Sequence, residues 1–581
     1  MNFLRNLLAS ILGFFIALFL IFACFFIAAA VIGSSEKIVV KPNSVLELDL
    51  STSIRDYAPK EDNPIAEALE LTEDKLALNK IINAIENAKT DDNIKGISIK
   101  TTSVSAGMAQ TQAIRNKLEE FKESGKFIYA YNDVYTQKNY YLSSVADSLF
   151  LNPIGAIDFG GLSTEILYFK DFEDKYGIKM EVIRHGKYKS AVEPFLENEM
   201  SEANREQTTS FLKSIWSEMT DDISKSRNIS VEKLNLIADN SYGRNVTLAK
   251  ENNLIDASIY EDEYQEKLAM GSEEKVNTIS ISDYINSGKG RISSTEKNKI
   301  AVIYAQGEIT YGEGNIDYIG QGIMNKAIKK ARKDDNVKAI VLRVNSPGGS
   351  ALASELIWRE LELTKKEKPL VVSMGNLAAS GGYYIACNAD KIIAEPTTIT
   401  GSIGVFGAIP NFSQFTDKIG VNAEQVSTNN SASYSVFEPM NQKFYAVTKE
   451  GVEQTYTTFV NRVSAGRNMT FEQVNEVAQG RVWTGKEAIE KGLVDQLGSL
   501  DDAIKVAAEL AEVENYKIRN YPNYKTNFKD ALPVSPFAKS SKEGLLKETL
   551  GNDSYQLYYN IQKMKNLKGI QARLPFLLEV K

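Results

Sequence analysis

The chain contains itself twice, and this limits its possible folds more than any other feature of its 581 residues. DDNIKGISI from Asp91 returns as DDNVKAIVL from Asp334, YYLSSVADSLFLNP from Tyr140 as YYIACNADKIIAEP from Tyr383, and FEDKYGI from Phe172 as FTDKIGV from Phe415, each 243 residues later. Further on, SRNIS ending at Ser230 matches GRNMT ending at Thr470, and NLIDAS from Asn253 matches GLVDQL from Gly492. The offset drifts only to 240 and then 239. Spacing this steady over so long a stretch means two copies of one domain, because a solenoid repeats every 20–50 residues or so.

Each copy reads as strand alternating with helix. In the second, KIAVIYAQGEI from Lys299, KAIVLRV from Lys338 and PLVVSM from Pro369 are apolar runs of strand length, and a helical pattern separates the last two. Buried strands alternating with amphipathic helices predict an α/β fold with parallel pairing. The division expected is an anchor over 1–35, a first copy over 36–270, a Ser/Glu/Lys-rich linker over 271–298, a second copy over 299–515 and a C-terminal appendage over 516–581.

Leu7 to Gly33 is an almost uncharged run of 27 residues. As a helix it spans roughly 40 Å, enough for a hydrocarbon layer of about 30 Å. A secretory h-region is shorter, about 7–15 residues, so a retained transmembrane helix is expected, although Ala28–Ala30 leaves cleavage open. Arg5 and the terminal amine favour a cytoplasmic N-terminus, which puts the body on the other side of the membrane; Lys37 and Lys41 oppose this.

The formal charge of -8 argues against a nucleic-acid partner, since phosphate binding needs a concentrated basic surface. One histidine, His185, and two cysteines, Cys24 and Cys387, cannot furnish a zinc site of the usual kind, and no phosphate-binding GxxxxGK[ST] loop is present. No metal or other cofactor is expected. A hydrolase of this composition is left with serine and lysine, or with carboxylate pairs.

Two loops in the second copy carry the chemistry. Asn345-Ser346-Pro347-Gly348-Gly349-Ser350 follows a strand, and its glycines let backbone amides approach a ligand closely, as an oxyanion hole requires. The same glycines also suit a tight turn. Ser380, in Asn376-Leu377-Ala378-Ala379-Ser380-Gly381-Gly382-Tyr383, stands at a strand-to-helix turn, where a serine serves equally as helix cap or nucleophile. Both loops follow successive strands, at the carboxyl end where open α/β sheets gather ligands. A serine nucleophile needs a base, and Lys189 lies in Tyr188-Lys189-Ser190-Ala191-Val192-Glu193-Pro194-Phe195, where burial could hold a lysine neutral.

With NSPGGS from Asn345, ASGGYYIA from Ala379, TGSIGVFG from Thr400 and YKSAVEPF from Tyr188, the chain resembles the long, duplicated form of the signal peptide peptidase A family, over nearly its whole length. The resemblance implies two tandem Clp-protease/crotonase-like domains behind the helix, Ser380 as nucleophile and Lys189 as general base. It places Gly348 and Gly349 near the oxyanion. It also implies a homotetramer at the bacterial inner membrane, with its body on the periplasmic side, degrading remnant signal peptides.

The duplication tests the assignment. Moving Ser380 back by 243 reaches Gln137, and moving Lys189 forward by 243 reaches Ala432, so each copy keeps one half of the pair. One site per chain, built across both copies, is the expectation. His185 lacks a recognisable third group for a triad, Lys187 is read as solvated, and Ser190 is expected to orient the lysine amine. Two rivals share the fold: a crotonase-like acyl-CoA lyase or hydratase, and a non-catalytic membrane scaffold.

Overall fold

The computed structural model describes residues 2–32, 38–58, 76–269, 276–429, 434–524 and 570–573. Asn2–Ile32 is one helix, and its stretch Arg5–Ala23 has a mean hydropathy of 2.5. Among the described residues it is the helix long and apolar enough to cross a membrane, and Phe14, Phe15 and Phe19 on it are exposed.

The two copies build two sheets of the same plan. In the first, Ser148–Ile157, Phe127–Tyr135, Ile94–Ile99 and Ser44–Leu48 lie side by side and parallel. In the second, Leu370–Ala379, Val337–Ser346 and Lys299–Gln306 repeat that arrangement. Parallel strands covered on both faces read as unbroken apolar runs, and KIAVIYAQ shows why. Its Ala301, Ile303 and Ala305 enter one core, while Ile300, Val302 and Tyr304 turn the other way onto Ala503, Ile504 and Ala507 of the helix Leu500–Leu510.

The repetition runs further than composition suggested. Asn277–Ser280, within the expected linker, pairs in parallel with Ser44–Leu48; Lys517–Tyr521, within the expected appendage, pairs in parallel with Lys299–Gln306. Each is the outer strand of its sheet, and both are short and rich in polar residues, so no apolar run announced them. The apolar-periodic stretch from Tyr555 lies outside the described residues. Matching 26-residue helices, Glu202–Arg227 and Gln442–Arg467, both end on an asparagine in the left-handed region, Asn228 and Asn468. Asparagine tolerates that conformation better than most residues.

A third sheet joins the copies. Lys179–His185 of the first pairs antiparallel with Val405–Asn411 of the second over seven positions, from Lys179 opposite Asn411 to His185 opposite Val405. A buried ion pair, Arg343 to Asp56 at 3.2 Å, ties them a second time. The first-copy core also takes in Ala379, Ile399 and Val482 from the second.

Candidate active site

Ser380 follows directly on the buried strand Leu370–Ala379 and precedes the short helix Gly381–Ala386. Its backbone has φ 55° and ψ −115°, a region that costs a non-glycine residue about 1–3 kcal/mol and is held where the surroundings enforce it. Here they do: the Ser380 amide donates to the Gly401 carbonyl at 2.8 Å, and the Tyr384 amide donates to the Ser380 carbonyl at 2.8 Å. The sharp turn sets the hydroxyl at the end of the strand, in a geometry that suits a nucleophile, although the residue itself is buried.

Lys189 reaches this hydroxyl from the other copy. The strand Lys179–His185 ends against Val405, Gly186 turns the chain at φ 108°, and Lys189 immediately precedes the 3-10 helix Ser190–Phe195. The Lys189 Nζ lies 2.9 Å from Ser380 Oγ, 3.0 Å from Ser402 Oγ and 3.3 Å from the Ser402 carbonyl. Both Lys189 and Ser380 have no solvent exposure. Burial pushes the lysine well below its ordinary value of 10.5.

A neutral amine has two N–H bonds and one lone pair. The Ser402 hydroxyl and carbonyl oxygens account for the two donors, which leaves the lone pair for the Ser380 proton. The lysine stem runs through a slot walled by backbone. A Cβ on Gly480 would lie 2.7 Å from Lys189 Cα, Cβ and N, and one on Gly404 would lie 3.1 Å from its Cδ.

Gly348 adopts φ 96°, where only glycine is comfortable. A Cβ there would meet the Gly381 amide nitrogen at 2.7 Å, so the loop after Val337–Ser346 and the turn after Ser380 converge on one point. Gly349 is needed for a different approach: a Cβ there would stand 2.1 Å from the Ile309 carbonyl oxygen of the neighbouring strand.

Other expected residues are elsewhere. Ser190 does not orient the amine; its Oγ accepts from Gln207 Nε2 at 2.8 Å, because the 3-10 turn faces it toward the helix Glu202–Arg227. His185 Nδ1 is 2.6 Å from Glu453 Oε2 and its ring stacks on Tyr456, so its partners are not Ser380. Lys187 is exposed, over the ring of Tyr188. Ala432 lies outside the described residues.

Gln137, at the place in the first copy that Ser380 holds in the second, fills its half-site with structure. Its Oε1 accepts from the Gly160 and Gly161 amides and its Nε2 donates to the Gly161 carbonyl. Ser402 was missed although the duplication could have flagged it. Its counterpart 243 residues earlier is Phe159, so this serine belongs to the second copy alone.

The profile of peptidase family S49 matches residues 120–275 and 362–514, one segment in each copy. The chain is 37% identical over 494 residues to Protease 4 of Haemophilus influenzae, covering 81% of this chain and 80% of that one. It is 38% identical over 464 residues to Protease 4 of Salmonella typhi, covering 78% and 74%. The chloroplastic serine protease SPPA of Arabidopsis thaliana is 32% identical over 486 residues, covering 82% and 70%.

Proposed function

The chain belongs to peptidase family S49, and from that premise we propose that it is a membrane-anchored serine endopeptidase that uses Ser380 as nucleophile and Lys189 as general base to degrade signal peptides released from preproteins. The observation that carries this reading is the fully buried Lys189 amine, 2.9 Å from Ser380 Oγ and held from behind by Ser402.

Neutral Lys189 takes the Ser380 proton as Oγ attacks a peptide carbonyl. Amides where Gly348 meets Gly381 face the developing oxyanion, in a water-poor site where fixed dipoles act strongly. Lys189 then returns the proton to the leaving amine, and water hydrolyses the ester on Ser380. Gly349 shapes the same loop. The helix Asn2–Ile32 holds the enzyme at the bacterial inner membrane, where signal peptides are left, and Arg5 before the apolar run favours a periplasmic body. Four chains assemble as the family resemblance implies.

A fluorophosphonate probe with the purified full chain in detergent tests the chemistry. Labelling of wild type at Ser380, absent in Ser380→Ala, together with loss of an added signal peptide, is the expected result. Signal-peptide hydrolysis persisting in Ser380→Ala would overturn it.

A further inference from the structure

The second-copy run from Gln479 to Val482 lies between the segment that carries Lys189 and the one that carries Ser402, and it bonds to both. The Tyr188 amide donates to the Gln479 carbonyl at 2.8 Å, the Gly480 amide to the Ile403 carbonyl at 2.8 Å, and the Ser402 amide to the Arg481 carbonyl at 2.7 Å. Val482 stands opposite Gly401, whose carbonyl holds the Ser380 amide. The Val482 amide itself takes a partner of another kind. It donates to a first-copy side chain, Gln207 Oε1, at 3.3 Å.

Gln207 lies on the helix Glu202–Arg227 with no solvent exposure. Its Nε2 donates to the Tyr188 carbonyl at 3.1 Å and to Ser190 Oγ at 2.8 Å, the residues on either side of Lys189, and to Asn204 Oδ1 at 3.2 Å. A backbone amide only donates and a backbone carbonyl only accepts, so these contacts fix which way the Gln207 amide faces. They also call for an amide. A carboxylate would set oxygen against the Tyr188 carbonyl, and an apolar chain of equal length would leave the buried Val482 amide without its acceptor. Charged groups around this loop are at its rim: Arg184 Nη1 reaches the Lys189 carbonyl at 3.4 Å, Lys187 is exposed, and Arg481 pairs with the half-exposed Glu206 at 2.7 Å.

We propose that Gln207 is a positioning residue, which holds the Lys189 loop of one copy against the Gly401–Ser402 turn of the other and so sets the spacing between Lys189 and Ser380; the inference rests on the Ser380–Lys189 reading above. One amide group binds both chain neighbours of Lys189 and, at its other end, the residue opposite Gly401. The two halves of the pair come from different copies, so their spacing depends on contacts across this junction. A misplacement of about 1 Å is enough to cost roughly 100-fold in rate.

Steady-state hydrolysis of a peptide ester by the full chain in detergent, followed across pH, tests this with Gln207→Met and Gln207→Glu. Each is expected to lower kcat by about tenfold or more with KM unchanged, and to slow fluorophosphonate labelling of Ser380 by a similar factor. The rising limb of kcat/KM should also move to higher pH by about one unit. A displaced amine is better hydrated in Gln207→Met, and in Gln207→Glu a carboxylate nearby favours its charged form. Glu206→Ala, one position away on the same helix, should keep kcat within about threefold and leave the limb in place, because a half-exposed ion pair contributes little. Wild-type kcat in a Gln207 variant overturns the positioning role and leaves the protease reading standing. So does a lowered kcat with an unmoved limb and unchanged labelling, or an equal loss in Glu206→Ala. A wild type that neither hydrolyses the ester nor labels at Ser380 overturns both readings.

Discussion

Lys189 donates to Ser402 twice, at 3.0 Å to its hydroxyl and 3.3 Å to its carbonyl, so that in the neutral amine the lone pair is left for Ser380, 2.9 Å away. Ser402→Ala removes one of the two acceptors. A hydrogen bond of about 1–1.5 kcal/mol corresponds to roughly a tenfold fall in rate. The fall is expected in kcat for a peptide ester with KM unchanged, since Ser402 is placed to hold the amine. A change confined to KM would contradict this role.

Ser380→Ala and Lys189→Met should each lower peptide-ester hydrolysis by about 10³-fold or more, the scale seen when a nucleophile or its base is lost. His185→Ala should leave most of it, because that ring is engaged by Glu453 and Tyr456.

Lys189 also predicts a pH signature. Its folded value is depressed below 10.5, so over the interval between the two the unfolded chain binds the extra proton. Wild-type stability should rise with pH across that interval, and kcat/KM should rise as the amine loses its proton. Lys189→Met should flatten the stability curve and raise Tm at neutral pH, because no amine need be neutralised on folding. Thermal unfolding measured from pH 6 to 10 checks both statements.

Glu395 lies buried between the copies, pushed up to about 8 by burial, and its Oε1 has no hydrogen-bond partner. The folded state keeps a proton that the unfolded state loses above about 4.5. This contribution is therefore greatest at acid pH and is lost as pH climbs to about 8. Glu395→Gln should unfold at higher temperature than wild type at pH 8, and the gap should shrink toward pH 5. At about 1.4 kcal/mol per pKa unit, the full swing is on the order of a few kcal/mol.

Gly480→Ala and Gly420→Ala separate backbone strain from crowding of the lysine slot. Both glycines have positive φ, 81° and 75°. A Cβ on Gly420 meets nothing within 4 Å, while one on Gly480 lies 2.7 Å from Lys189. Gly420→Ala should cost about 1–2 kcal/mol of stability and keep activity. Gly480→Ala should lose activity as well, read as kcat for the ester against the Tm of each variant.

The two-copy α/β plan was legible because parallel strands buried on both faces must be written as unbroken apolar runs, and the duplication wrote them twice. Comparing the copies also pointed to Ser380 and Lys189, since each has lost its counterpart. The short outer strands Asn277–Ser280 and Lys517–Tyr521 were not legible, because neither carries an apolar run. Ser190 was a plausible partner by adjacency, but chain neighbours need not face the same way, and a 3-10 turn sends it to Gln207.

The sequence by itself singled out Ser380 and Lys189 as candidates and put them in different copies. Only the tertiary structure decided that they meet, through the antiparallel pairing of Lys179–His185 with Val405–Asn411. It alone also brought in Ser402 and the backbone walls at Gly404 and Gly480. Those contacts join residues far apart in the chain through backbone geometry and burial, and neither leaves a local pattern in the sequence.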